Sequence, residues 1–323
     1  MAVTLDSSLP KGESQVRSKL KWMVPLLLIA ALSILYLWQG PQAPFDELYA
    51  SVDPVIINSL KSFRQLNPPR QLQVDGATWD YIALGQGQET ILFLNGMTGA
   101  HDIWWQQIDA LKHLYRIVAV TSPPVQSLER LAAGVSAILG KEGVSDFNVV
   151  GTSLGGCFTQ YLIAKHPERI RRAVLSNTFP PNDLIADKNH AARMILPYLP
   201  EWLVLSVFRS NFQKIIYPTS SNDELTLAFL NEIGYGRTSK AQLVGRYYTV
   251  IDKFTAPTPV VPVLIIESDN DPLVELKLRE QLKATYPNST VHTFSAAGHF
   301  PYLNRPQVYT QLLIDFLSKQ TKD

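Results

Sequence analysis

The chain has 323 residues, 46% of them hydrophobic and 18% charged, with 29 basic side chains against 28 acidic ones for a net charge of +1. That much apolar material rules out a disordered or fibrous chain, and the near-neutral charge offers nucleic acid no broad attraction. A single cysteine, Cys157, excludes an internal disulfide and any zinc site built from several thiolates.

The first element is apolar. Residues 22–38 (WMVPLLLIAALSILYLW) carry no charged side chain, and at ~1.5 Å per residue these 17 positions reach roughly 25 Å, the short end of a bilayer span. Trp22, Tyr36 and Trp38 stand at its ends, where amphipathic rings favour the lipid–water boundary. The expectation is a single-pass transmembrane signal-anchor helix. A cleaved signal peptide is the rival, but the flank Gln39-Gly40-Pro41-Gln42-Ala43-Pro44 is a poor cleavage site. Lys11, Arg17, Lys19 and Lys21 precede the segment, which places residues 1–21 on the cytoplasmic side and the rest of the chain on the other.

Residues 39–70, with five prolines, read as a linker with a short helix around 55–64. From about residue 71 the pattern becomes α/β. Residues 72–74 and 78–84 alternate apolar and polar across Asp75-Gly76, a hairpin signal. Six strand-like runs follow at 91–95, 115–120, 146–151, 170–177, 261–268 and 289–295, most continuously apolar, as in a parallel sheet buried on both faces. Helical patterns lie between them at 102–113, 127–140, 154–165, 275–286 and 306–318. The fold class is therefore α/β: a mostly parallel sheet flanked by helices, over residues 71–323. One interval, about 178–258, has no strand, only apolar helical patterns such as MILPYLPEWLVLSVF and ELTLAFLNEI. It reads as a helical lid over the strand ends, where ligands bind.

The chemistry concentrates on that edge. Strand DFNVVG runs into Gly151-Thr152-Ser153-Leu154-Gly155 and then a helix, the strand–turn–helix setting of a nucleophile elbow. Gly151 and Gly155 leave room for a sharp turn that lifts the Ser153 hydroxyl clear of the sheet. A serine needs a base, and of six histidines His299 sits in the loop after the last strand; His101 follows the loop after residue 95 but more naturally starts a helix. The third member comes from Asp269-Asn270-Asp271-Pro272, with Asp271 placed to orient the histidine and Asp269 to form the turn. The backbone N–H groups of Met97 and Leu154 are the oxyanion-hole candidates. No metal and no organic cofactor is implied.

These residues make the chain similar to α/β-hydrolase fold proteins over about residues 70–320, with the chain order Ser, Asp, His. Such proteins usually carry His-Gly where this sequence has Asn95-Gly96. Val174-Leu175-Ser176-Asn177-Thr178-Phe179, Tyr286-Pro287-Asn288, Phe300-Pro301-Tyr302-Leu303-Asn304-Arg305 and the short Ser122-Pro123-Pro124-Val125 link resemble the maspardin family. Members of that family do not all keep a histidine at the position of His299, which is present here. The apolar segment 22–38 departs from the soluble form of that family, and the resemblance carries over no substrate; the triad and the segment together read as a membrane-anchored serine hydrolase acting on an ester or related small acyl compound, for which a lipid-derived substrate would suit an apolar lid beside a membrane. The alternative that the resemblance implies is an inert binding or adaptor protein on the same fold. Peptidase, thioesterase and carbon–carbon bond hydrolase chemistry use the same triad.

Overall fold

The computed structural model describes residues 11–257 and 260–319. Eight strands, β1 (Arg70–Val74), β2 (Ala77–Gly85), β3 (Thr90–Leu94), β4 (Arg116–Thr121), β5 (Phe147–Thr152), β6 (Ile170–Ser176), β7 (Val263–Ser268) and β8 (Thr290–Phe294), form one sheet in the order β1-β2-β4-β3-β5-β6-β7-β8. The β1–β2 hairpin closes on Asp75 and Gly76, both at positive φ, with Val74 opposite Ala77. β2 runs antiparallel to β4, and every later pairing is parallel.

Successive residues of a strand face opposite sides, so each apolar run feeds two cores. Ile91 and Phe93 of β3 pack into one layer with Trp104, Ile108, Tyr309 and Leu313, while Leu92 and Leu94 pack into the other with Leu131, Val135, Phe158 and Leu162. The chain leaves β3 for β4 on one side and crosses back to β5 on the other. Such a reversal opens a crevice beyond the carboxyl ends of β3 and β5.

Three helices precede the sheet: α1 (Lys11–Leu37), α2 (Phe45–Leu48) and α3 (Pro54–Leu66). α3 starts where the Asp53 carboxylate caps the Val55 N–H with Pro54 in the first turn. Tyr49, Leu60 and Phe63 are fully buried in the first core layer, so residues 45–66 are packed structure. The expected membrane span falls on the C-terminal part of α1. Among the described residues no helix is long and apolar enough to cross a membrane.

The flanking helices are α4 (Trp105–Leu111), α5 (Leu128–Lys141) and α6 (Leu154–Lys165). Between β6 and β7 lie α7 (Leu184–Ile195), α8 (Glu201–Asn211), α9 (Tyr217–Thr219), α10 (Glu224–Glu232) and α11 (Lys240–Val250). The apolar run 194–208 is not one helix: Pro197 and Pro200 break it into the end of α7, a 3₁₀ turn at Leu196–Tyr198, and α8. π-helical turns follow α8 at Phe212–Ile216 and α10 at Ile233–Arg237. The chain closes with α12 (Leu276–Thr285), α13 (Pro301–Asn304) and α14 (Pro306–Leu317).

Candidate active site

Five parallel strands deliver their following loops to one edge: Gly96 and Met97 after β3, Ser153 after β5, Asn177 after β6, Asp271 after β7 and His299 after β8. Ser153 sits between β5 and α6 at φ 54° and ψ −121°, a left-handed conformation that costs a non-glycine residue on the order of 1–3 kcal/mol. The turn is braced from β6: the Ser153 N–H donates to the Ser176 carbonyl at 3.0 Å, and the Thr178 hydroxyl donates to the Ser153 carbonyl at 2.6 Å. A Cβ on Gly151 would lie 2.3 Å from the Gly155 carbonyl oxygen, and one on Gly155 would lie 2.3 Å from that of Leu94. Neither position admits a side chain.

His299 is buried, and its Nδ1 lies 2.8 Å from Asp271 Oδ2 and 2.9 Å from Oδ1. The Asp271 carboxylate also accepts from the backbone N–H groups of Leu273 (2.9 Å) and Val274 (3.1 Å) and from Asn177 Nδ2 (2.9 Å). With three donors besides the imidazole, the carboxylate is fixed in position. Nδ1 therefore carries the proton facing the aspartate, which leaves Nε2 as the basic nitrogen. Of the two aspartates considered from sequence, Asp271 meets His299. Asp269 accepts from Ala296 N–H (2.8 Å) and Ser295 Oγ (3.0 Å), and the Ala296 N–H above all holds its carboxyl below the usual range. It ties the β7 loop to the loop that carries His299.

Ser153, His299, Gly96 and Met97 line one cavity of about 260 Å³. The rest of its wall is largely apolar and comes from the lid, including Leu184, Ile185, Phe208, Phe212 and Val250. No Ser153 Oγ–His299 hydrogen bond is formed among the described residues; such bonds often close only around substrate. Leu154 is the first residue of α6, so its N–H has no partner within the helix. The Met97 N–H likewise donates to no backbone carbonyl among the described residues. Both N–H groups belong to loops that meet at Ser153, where a Cβ on Gly96 would lie 3.0 Å from Ser153 Cβ. Asn95 staples its own loop, donating to the Gly96 carbonyl at 3.0 Å.

Two further residues shape the site, and no local sequence pattern marks them. Asn177, at φ 43°, donates to Asp271 and also to the Gly298 carbonyl (3.2 Å), joining the β6, β7 and β8 loops. Arg246 of α11 is buried and donates to the Met97 carbonyl and, at 3.5 Å, to the Ser122 carbonyl. Its Nε has no partner among the described residues, and burial pulls the guanidinium down to about 10.

The other candidates stay apart. His101 begins the 3₁₀ turn His101–Trp104, pairs with Thr121 Oγ1 at 2.9 Å, and is lowered chiefly by burial. Cys157 is buried, and burial pushes its thiol up to about 12, which keeps it protonated and unreactive. Among the described residues no group of three or more His, Cys, Asp or Glu side chains could hold a metal ion.

Residues 89–252 match the family described as alpha/beta hydrolase fold. The chain is 23% identical over 275 residues to an uncharacterized hydrolase, YugF, of Bacillus subtilis, covering 78% of this chain and 98% of that one. It is 22% identical over 287 residues to human epoxide hydrolase 4, covering 78% and 79%. An enol-lactonase from Burkholderia xenovorans LB400 superposes with a TM-score of 0.65 at 17% identity, over 77% of this chain and all of that one.

Proposed function

The chain belongs to the alpha/beta hydrolase fold family, and we propose that it is a membrane-anchored serine hydrolase that cleaves an ester or related acyl compound through an acyl-enzyme. The observation that carries this reading is a buried His299–Asp271 pair opening onto the same cavity as a serine held at positive φ. His299 Nε2 takes the Ser153 proton as Oγ attacks the acyl carbon. The resulting oxyanion accepts from the N–H groups of Met97 and Leu154 at the N-terminus of α6. His299 returns the proton to the leaving group, and the carbon–oxygen bond breaks. In the second half His299 deprotonates a water as it attacks the acyl carbon, then returns that proton to Ser153 Oγ as the acyl carbon–Oγ bond breaks, releasing the acid and the free serine. Asp271 accepts from Nδ1–H throughout and stabilises the imidazolium. No step calls for a cofactor. The apolar wall of the cavity favours an apolar acyl group, including one derived from lipid.

The test is a series of p-nitrophenyl esters of increasing acyl length offered to the full chain. A burst of p-nitrophenol equal to the enzyme present, lost in Ser153→Ala, is the expected result; no turnover of any ester by a folded protein would favour the alternative, a maspardin-like binding protein. The anchor comes from residues 22–38, whose uncharged side chains are exposed along the helix. The basic flank puts the N-terminus in the cytoplasm and the hydrolase domain across the membrane. Protease added to the sealed cytoplasmic face should spare the domain; its digestion would refute this orientation.

A further inference from the structure

The apolar helix meets the domain at its last turn, and it meets the lid there. Trp202 of α8 donates through Nε1 to the Leu35 carbonyl at 2.9 Å, and its ring lies 5.8 Å from that of Trp38. Lys240 of α11 stands 5.5 Å from the Tyr36 ring centroid and donates to the carbonyls of Pro197 (3.2 Å) and Leu199 (2.8 Å). One lysine thus joins the foot of α1 to the 3₁₀ turn between α7 and α8. Above that foot, Leu26, Leu27, Leu28, Ile29, Leu32 and Ile34 are all more than half exposed. Consecutive exposed positions cover every side of a helix, so this part of α1 leaves the domain rather than packing on it.

Beside the foot the lid presents its own bare apolar side chains: Met194 is 59% exposed, Ile195 55% and Tyr198 78%. Contiguous exposed apolar surface marks a place where something other than water is met. Trp38 and Trp202 pair at the foot, and Tyr36 and the exposed Tyr198 flank it in the chain, amphipathic rings of the kind favoured at a lipid–water boundary. We infer that the face of the lid formed by Met194, Ile195, Tyr198 and Trp202, at the foot of the apolar helix, lies in the headgroup layer of a lipid bilayer. The occupant is lipid because the surface is continuous with the exposed apolar helix proposed above as the anchor, with the Trp38 and Trp202 rings at their junction. This inference rests on the membrane anchor proposed above. It adds that the domain is held lid-down on the bilayer instead of swinging on a free tether.

The full chain is reconstituted into phosphatidylcholine vesicles containing a minority of phosphatidylglycerol, with a nitroxide on Tyr198→Cys, Met194→Cys or Leu114→Cys. Leu114 is 57% exposed and precedes β4, at the end of the sheet opposite the lid. The buried Cys157 leaves the unsubstituted chain as an unlabelled control. The lid labels should show a ratio of oxygen to water-soluble nickel collision several-fold above that at Leu114. Equal, water-like ratios at all three sites would overturn the inference while leaving the anchor in place. Exclusion of both reagents with spin–spin broadening at Tyr198 would also overturn it, because a second copy would then cover the face. Failure of the chain to float with the vesicles would remove the anchor and the inference together.

Discussion

Two buried polar clusters sit in this domain and have opposite chemistry. In one, Asp102 receives Arg64 Nε at 2.7 Å and Arg237 at 2.8 Å, with Glu232 bonded to Arg64 at 2.8 Å and to the Tyr49 hydroxyl at 2.6 Å. Burial alone would raise the Asp102 carboxyl, yet Arg237 and Arg64 outweigh it and hold it at about 2. In the other, Asp271 faces a histidine and neutral amide donors, with no arginine. A guanidinium stays charged at every working pH, so the first cluster holds fixed charges and joins α3, the His101–Trp104 turn and the turn after α10. An imidazole with a free ring nitrogen can accept a proton where a guanidinium cannot, so the second can serve as a base. Both clusters border a cavity, of about 250 Å³ for the first and 260 Å³ for the second, so what separates a structural cluster from a chemical one here is the partner of the aspartate and the serine that shares the cavity wall.

The comparison can be broken by substitution, starting with the largest effect. Ser153→Ala should lower kcat by about 10⁴-fold or more with no loss of thermal stability, read by ester hydrolysis beside a melting curve. Asp102→Asn should do the reverse, costing about 1–3 kcal/mol of stability in denaturant, because Arg64 and Arg237 keep Glu232 but lose the buried carboxylate between them, while the folded fraction keeps its kcat. A fall in kcat with unchanged stability would show that the clusters are not separate. Arg246→Met should lower kcat by roughly 10–100-fold with little change in KM, because it frees the Met97 carbonyl and with it an oxyanion donor. Arg246→Lys should recover part of that loss.

Acid should expose the ion-paired cluster. The Asp102 carboxyl is depressed on folding, so its stabilisation is present above its unfolded value of 3.8 and is lost as pH falls toward about 2. That amounts to about 2 kcal/mol, and denaturation followed between pH 5 and 2 should show a contribution absent from Asp102→Asn. The smallest effect is a gain. Ser153→Gly removes the backbone strain at φ 54° and should stabilise the inactive protein by up to about 1 kcal/mol.

The sheet was legible in the sequence because its central strands are buried on both faces, and continuous apolar runs place β3 to β7 within a residue or two. The elbow was legible because strand, glycine-flanked serine and helix are adjacent in the chain. Asn177 and Arg246 were not: their partners Asp271 and Met97 lie 94 and 149 residues away, and a lone asparagine or arginine carries no local signal of such a contact. The lid was legible as helical but not in its breaks: the π turn at Phe212–Ile216 carries no glycine or proline to mark it, and the break at Ile233–Arg237 turns on Gly236 at φ 127°, a glycine in an otherwise helical pattern. The helix at Pro54–Leu66 was legible, since 55–64 reads as helical, but its packing was not: residues 45–53 read as linker beside Pro44 and Pro54, and the burial of Tyr49, Leu60 and Phe63 depends on a core formed far downstream.

The most direct measurement is the mass of the full chain after reaction with a fluorophosphonate, with the adduct mapped by peptide sequencing. A single adduct on Ser153, absent from Ser153→Ala and strongly slowed in His299→Ala, is the predicted result. A folded chain that takes no label, or labels equally well without His299, would contradict the claim that these residues form an activated nucleophile.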